Sequence, residues 1–137
     1  MPTLECKFIY KGFSCVVLFI PHGYRCGYVG LPKSNKYHGK HYNFIPVNCH
    51  GGLTYSSRSL YHCEEKDLWW IGFDCGHCFD GYDIEHIEKY YSNNVEIMEQ
   101  LKYMRTYFEE TNKTSVICDL EYVKDECRKI VDQLTEV

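Results

Sequence analysis

Three short runs set histidine, cysteine and acid side by side: Cys49-His50, His62-Cys63, and Asp74-Cys75-Gly76-His77-Cys78-Phe79-Asp80. Zinc takes about four soft or borderline ligands in a tetrahedron, commonly with paired ligands a few residues apart. Cys75 and Cys78 have that spacing. No second Cys-x-x-Cys accompanies them, and adjacent Cys-His side chains do not easily turn to one ion. A redox pair would open a helix in a βαβ setting, whereas this one follows a strand-like run. Cys75 or Cys49 beside a histidine is also a candidate nucleophile, though neither sits in a protease signature.

Acid–base chemistry uses the same residues more fully. Asp74, His77 and Asp80 recur at three-residue spacing, which sets them along one side of a helical turn or gathers them in a loop. A neighbouring carboxylate fixes an imidazole's tautomer and steadies its cation. His50 and His77 can then serve as base and acid on a phosphodiester. The amides of Gly51-Gly52 can face an anionic oxygen, and Thr54 adds a hydroxyl. We therefore assign His50, Asp74 and His77 as catalytic candidates, and Gly51, Gly52, Thr54 and Asp80 as ligand-binding. A hard or borderline metal would suit the same groups, and the residues do not say which. The structural alternative is that Asp74 caps a turn and His77 is a satisfied, half-buried side chain. Serine-hydrolase, P-loop and dinucleotide fingerprints are absent.

Composition narrows the setting. The chain has 137 residues, 45% of them hydrophobic, which suits one domain, residues 1–137, with a real core. A net charge of −4 argues against general nucleic-acid binding. One stretch, Lys33 to Asn43, is basic. Lys36 and Lys40 within it are candidate contacts for an anionic ligand, and a solvated loop is the alternative. There are nine cysteines, an odd number, and no signal-peptide pattern precedes them. A reducing cytoplasm with mainly free thiols is expected. No run is long enough to span a bilayer. Thirteen tyrosines suit stacking on flat ligands, gripping a partner, or half-buried filling of a small sheet. Oligomers are compatible with all of this.

The elements that must position these groups change character along the chain. Phe8 and Tyr10 alternate before Lys11-Gly12, and Val16 to Ile20 run apolar after it, predicting a hairpin. "YRCGYVGLP", Tyr24 to Pro32, predicts a short third strand with Cys26 and Tyr28 on one face. Pro46 argues for an edge strand or bulge in "FIPVNCHGGLTYS". "LWWIGF" has no surface alternation and predicts a central strand ending at Asp74. Ile97, Met98, Leu101, Met104 and Phe108 recur at helical spacing. So do Val123, Cys127, Ile130, Val131 and Leu134, with Asp119 placed to cap their helix. The expectation is α+β: an antiparallel sheet of roughly four to six strands with two C-terminal helices packed on one face.

The strings "RCGYVGLP", "HGGLTYS", "WWIGFDCGHCFD" and "YVKDECRKIVDQL" together resemble a family of small uncharacterised phage and prophage proteins. The resemblance spans residues 25 to 134 with gaps. It covers His50, Gly51, Gly52, Thr54, Trp69, Trp70, Asp74, Cys75, His77 and Asp80. Cys78 departs from the pattern, which weakens the zinc and redox readings of Cys75-Cys78. The resemblance implies an accessory protein of phage type, of a kind that opposes host defence. The leading expectation is a polar pocket that binds, and in one form cleaves, a small phosphorylated nucleotide-like ligand. The alternatives are an inhibitor of a host defence protein or CRISPR-type effector that uses a tyrosine-rich surface, and a zinc-stabilised structural module.

Overall fold

The structure is a computed structural model that describes residues 1–135; the last two residues of the expected domain lie outside the described ones. The chain folds as one α+β domain. Its strands are β1 (Thr3–Tyr10), β2 (Phe13–Ile20), β3 (Tyr24–Leu31), β4 (Tyr55–Ser57) and β5 (Trp69–Asp74), and its helices α1 (Ile84–Tyr91), α2 (Val95–Asn112) and α3 (Leu120–Leu134). The strands make one antiparallel sheet in the order β1-β2-β3-β5-β4.

Lys11 and Gly12 both take positive φ, 49° and 83°. A two-residue turn of that kind twists with the strands it joins. In β2 the apolar run is continuous because both faces are covered. Cys15 and Val17 pack with Val29, Ile71 and Phe73 beneath α3. Val16 and Leu18 pack with Tyr28 and Trp70 beneath Leu60 and Leu68. Each fully buried aliphatic here contributes about 1.5–3 kcal/mol. β5 follows the same rule, with Trp70, Ile71 and Phe73 at 0%, 0% and 1% exposure.

Two elements differ from the sequence expectation. No strand runs through Pro46. A single 3-10 turn at Tyr42–Phe44 leads into an irregular segment, and strand pairing resumes only at Tyr55. Proline lacks the N–H a ladder needs, and Gly51 and Gly52, at φ 68° and 82°, turn the chain away. Secondly, α1 is a helix beyond the two expected. Asp83 caps it by accepting from the His86 amide, and Ile87 and Tyr91 are its buried positions. It packs with Phe19 of β2 and with Leu101 and Phe108 of α2. Asp119 caps α3 as the sequence suggests, accepting from the Tyr122 amide. The α3 stripe of Val123, Cys127, Ile130 and Val131 is fully buried.

One buried cation ties these layers together. Arg25, 1% exposed, donates from Nε to Glu5 Oε1 (2.6 Å) and from Nη2 to Glu5 Oε2 (3.1 Å). Its Nη1 donates to Asp83 Oδ2 (2.9 Å) and to the carbonyl of Cys118 (3.1 Å). β1, β3, the cap of α1 and the approach to α3 thus share a single guanidinium.

Candidate functional site

The site forms where β5 ends. The Cys75 amide still donates to the Arg25 carbonyl at 2.9 Å, and the chain then turns, with the Asp80 amide donating to the His77 carbonyl. Asp74 holds that turn: Oδ1 accepts from the Gly76 amide (3.0 Å) and Oδ2 from the Thr54 hydroxyl (3.2 Å). Thr54 is in turn anchored to the sheet, its amide donating to the Gly72 carbonyl at 2.9 Å. His50 enters from the irregular segment, its amide donating to Glu126 Oε1 on α3 at 2.8 Å.

Both imidazoles meet on Asp80. His50 Nε2 lies 2.8 and 3.0 Å from the two carboxylate oxygens. His77 reaches Oδ2 from its amide and from Nδ1, each at 3.1 Å. The Cys118 thiol donates to Oδ1 at 3.6 Å. The two rings are 5.7 Å apart between centroids. Asp80 is 4% exposed, so it is the buried hub of the cluster. Burial alone would raise its pKa; hydrogen bonds from His50 and His77 outweigh that and hold it below the usual carboxylate range.

A carboxylate can only accept, which sets both tautomers. His50 gives Nε2–H to Asp80 and takes the Tyr122 hydroxyl on Nδ1 at 2.8 Å. Burial first, then Glu126, pushes the Tyr122 phenol up to about 12, so it stays a donor. His77 gives Nδ1–H to Asp80, and its Nε2 keeps a bare lone pair. Gly51 makes room for that ring: a Cβ there would sit 2.2 Å from His77 Cε1. Gly52 serves the turn alone, since a Cβ there meets nothing within 4 Å. Phe79 stacks parallel to His77, 5.1 Å away.

Clefts open on either side of Asp80. One, of about 440 Å³, is walled by Phe79, Ile117 and Tyr122 above His50, Asp80 and Cys118. The other, of about 250 Å³, is lined by His22, Tyr24, His77 and Tyr82. Among the described residues two sets of donor atoms could hold a metal: those of His50, Cys75 and Cys118, and those of His50, His77 and Asp80, each set within 4.8 Å.

Of the residues expected to act together, the structure gathers His50, Gly51, Thr54, Asp74, His77 and Asp80. Lys36 and Lys40 are a correction. Their loop is tied to the opposite end of β5, where the Trp69 indole donates to the Lys40 carbonyl (2.8 Å) and His38 meets the Asp67 carbonyl (2.9 Å). The cysteine nucleophiles are a second correction. Cys49 is pushed up to about 12, by burial first and then by Glu126, and Cys75 is raised further by the Cys118 hydrogen bond and burial. An activated thiol needs the reverse shift. Nor do Cys118, His50 and Asp80 form a relay, because thiol and carboxylate meet the same ring nitrogen. Cys78 is exposed, and all nine cysteines are free. Cys118, Tyr122, Phe79 and Glu126 belong to the site and are not singled out by the sequence.

Among the described residues no helix is long and apolar enough to cross a membrane. Compared with known proteins, the chain matches no family model, no curated protein and no solved structure.

Proposed function

We propose that the protein binds a small phosphorylated, nucleotide-like ligand in the clefts that meet at Asp80, and that its histidines do acid–base chemistry on that ligand. The observation that carries this reading is two imidazoles on one buried carboxylate beside an aromatic-walled cavity. Phe79 and Tyr122, 55% and 39% exposed, offer rings to a flat base, and stacking of that kind contributes about 1–3 kcal/mol per base. The larger cleft, near 440 Å³, is within the roughly 300–1,000 Å³ usual for small-ligand sites. A phosphate in the smaller cleft would meet His22, His77 and Tyr24. The charge of Asp80 is already shared among three N–H donors. Asp119 lines the larger cleft, which favours a ligand with few phosphates over a polyphosphate. His77 Nε2 is the base of this scheme, and the Tyr122 hydroxyl beside His50 is its proton donor. The setting we propose is a phage-type accessory protein that opposes host defence in the host cytoplasm.

The test is thermal shift and calorimetry with nucleoside monophosphates and with linear and cyclic dinucleotides, followed by chromatography for cleavage. At least one ligand should raise the Tm of the wild type and fail to raise that of His77→Ala. A panel that leaves the wild type unmoved defeats the reading.

A second reading has its own support. α2 turns Tyr103, Met104 and Tyr107 outward at 85%, 40% and 56% exposure, and aromatic residues and methionine are enriched at protein interfaces. That face suits an inhibitor of a host defence or CRISPR-type effector. Tyr103→Ala with Tyr107→Ala should then abolish the inhibition and leave nucleotide binding intact.

A further inference from the structure

We infer that His50, Cys75 and Cys118 form a zinc-class metal site with Asp80 beside its fourth coordination position. The three ligands come from three separate segments: the loop before β4, the end of β5 and the residue before the cap of α3. Their donor atoms lie within 4.8 Å of one another. His50 Nε2 is 3.8 Å from Cys118 Sγ. Around a tetrahedral zinc, with Zn–S about 2.3 Å and Zn–N about 2.0 Å, ligand atoms stand roughly 3.5–3.8 Å apart. The separation of Cys118 and His50 is already such an edge.

The surroundings of His50 agree. Ligation through Nε2 requires the ring proton on Nδ1, where Tyr122 Oη waits at 2.8 Å. The tyrosine hydroxyl need only rotate from donor to acceptor. A ligating histidine ordinarily gives its second N–H to such a partner, and that partner fixes the ring. The ligand backbones are held as well. Glu126 accepts the His50 amide, Arg25 donates to the Cys118 carbonyl, and the Arg25 carbonyl accepts the Cys75 amide.

Binding balances simply. Each thiol releases one proton as its sulfur–metal bond forms, so one divalent cation enters and two protons leave. Two thiolates and an imidazole select zinc, cobalt and similar ions over magnesium or calcium. Asp80 Oδ1 lies 2.8 Å from His50 Nε2 and 3.6 Å from Cys118 Sγ, against two of the three ligands. A water on the fourth position would meet that carboxylate at the floor of the larger cleft. Three protein ligands and an open place are the pattern of catalytic zinc. The site stands whether or not a nucleotide binds, and it uses neither Cys78 nor the Cys-x-x-Cys spacing.

The experiment uses the full chain, kept reduced with a phosphine and stripped of metal, and titrates it with Co2+. The expected result is one equivalent bound per chain, with the visible bands of tetrahedral cobalt and a thiolate-to-cobalt charge-transfer band, both abolished by Zn2+. Cys78→Ser should keep the full charge-transfer intensity. Cys75→Ser and Cys118→Ser should each lose about half, one thiolate of two. If those two variants do not fold, the wild-type titration decides alone. A folded wild type without the charge-transfer band overturns the site, and so does a band that disappears in Cys78→Ser.

Discussion

Arg25 and Asp80 are both buried charges, 1% and 4% exposed, and the protein treats them in opposite ways. Around Arg25 the pairing is closed onto protein: two carboxylates and a carbonyl take four of its five N–H groups. Around Asp80 the carboxylate is satisfied, but its partners are not exhausted. His77 keeps a lone pair on Nε2, His50 keeps a hydroxyl neighbour that can reverse its bond, and two thiols lie behind them. A closed set of buried ions can only hold elements together. A set whose donors each retain a second valence can also take a ligand, and the two clefts open onto that one.

The sharpest way to break this contrast is at its structural pole. Arg25→Met should cost about 3–5 kcal/mol, because Glu5 and Asp83 would stay buried without their cation. Urea denaturation measures it, and a midpoint close to that of the wild type would mean that the network is not what joins β1, β3 and α1. The glycines come next. Gly51→Ala and Gly52→Ala each place a side chain at positive φ, at about 1–2 kcal/mol. Only Gly51→Ala also drives a methyl into the His77 ring. It should be the less stable of the two and should lose ligand binding while Gly52→Ala keeps it; equal behaviour would mean that the ring is not held by Gly51.

Acid should weaken both poles. Burial would raise Asp83, but hydrogen bonds from His86 and Arg25 outweigh it and leave its pKa depressed; Asp80 is depressed through its histidines. A carboxylate whose folded pKa is lowered stabilises the fold above its unfolded value, about 3.9. That contribution fades as the pH falls through the folded pKa. Tm should therefore drop below about pH 4, and it should drop less in Asp83→Asn, measured against that variant's own neutral-pH value. At the functional pole the stability effects are smaller. His77→Ala should stay within a few degrees of the wild-type Tm and weaken ligand binding by about 1–3 kcal/mol, the range for an uncompensated polar contact. Smallest of all, Lys36→Gln with Lys40→Gln should change neither stability nor affinity. A salt-sensitive loss of affinity would return that loop to the site.

The hairpin, β5 and α3 are legible in the sequence because their apolar periods are clean, and the Asp74 turn because a hydrophobic strand runs into acids. α1 is harder to read because its cap lies in the same acidic run that suggests chemistry. Its spacing of Ile84, Ile87 and Tyr91 is nonetheless present. Arg25 sits in a short strand between Tyr24 and Cys26, where local pattern cannot tell a buried charge from an outward one. Its partners lie 20, 58 and 93 residues away. Cys118 is invisible for the same reason. Glu126 is readable in principle, since it falls on the helical stripe of Val123, Cys127 and Ile130, and an acid on an apolar face asks for a partner.

The bond from the His50 amide to Glu126 spans 76 residues, and that from the His50 ring to Tyr122 spans 72. Closing loops of that length comes late, after the local hairpin contacts are made. During synthesis the sheet can therefore assemble while the pocket does not yet exist, because the wall that closes it follows every strand in the chain. The site is then silent until α3 has docked. Amide exchange should report this as His50 protection that rises and falls with α3 and not with β2.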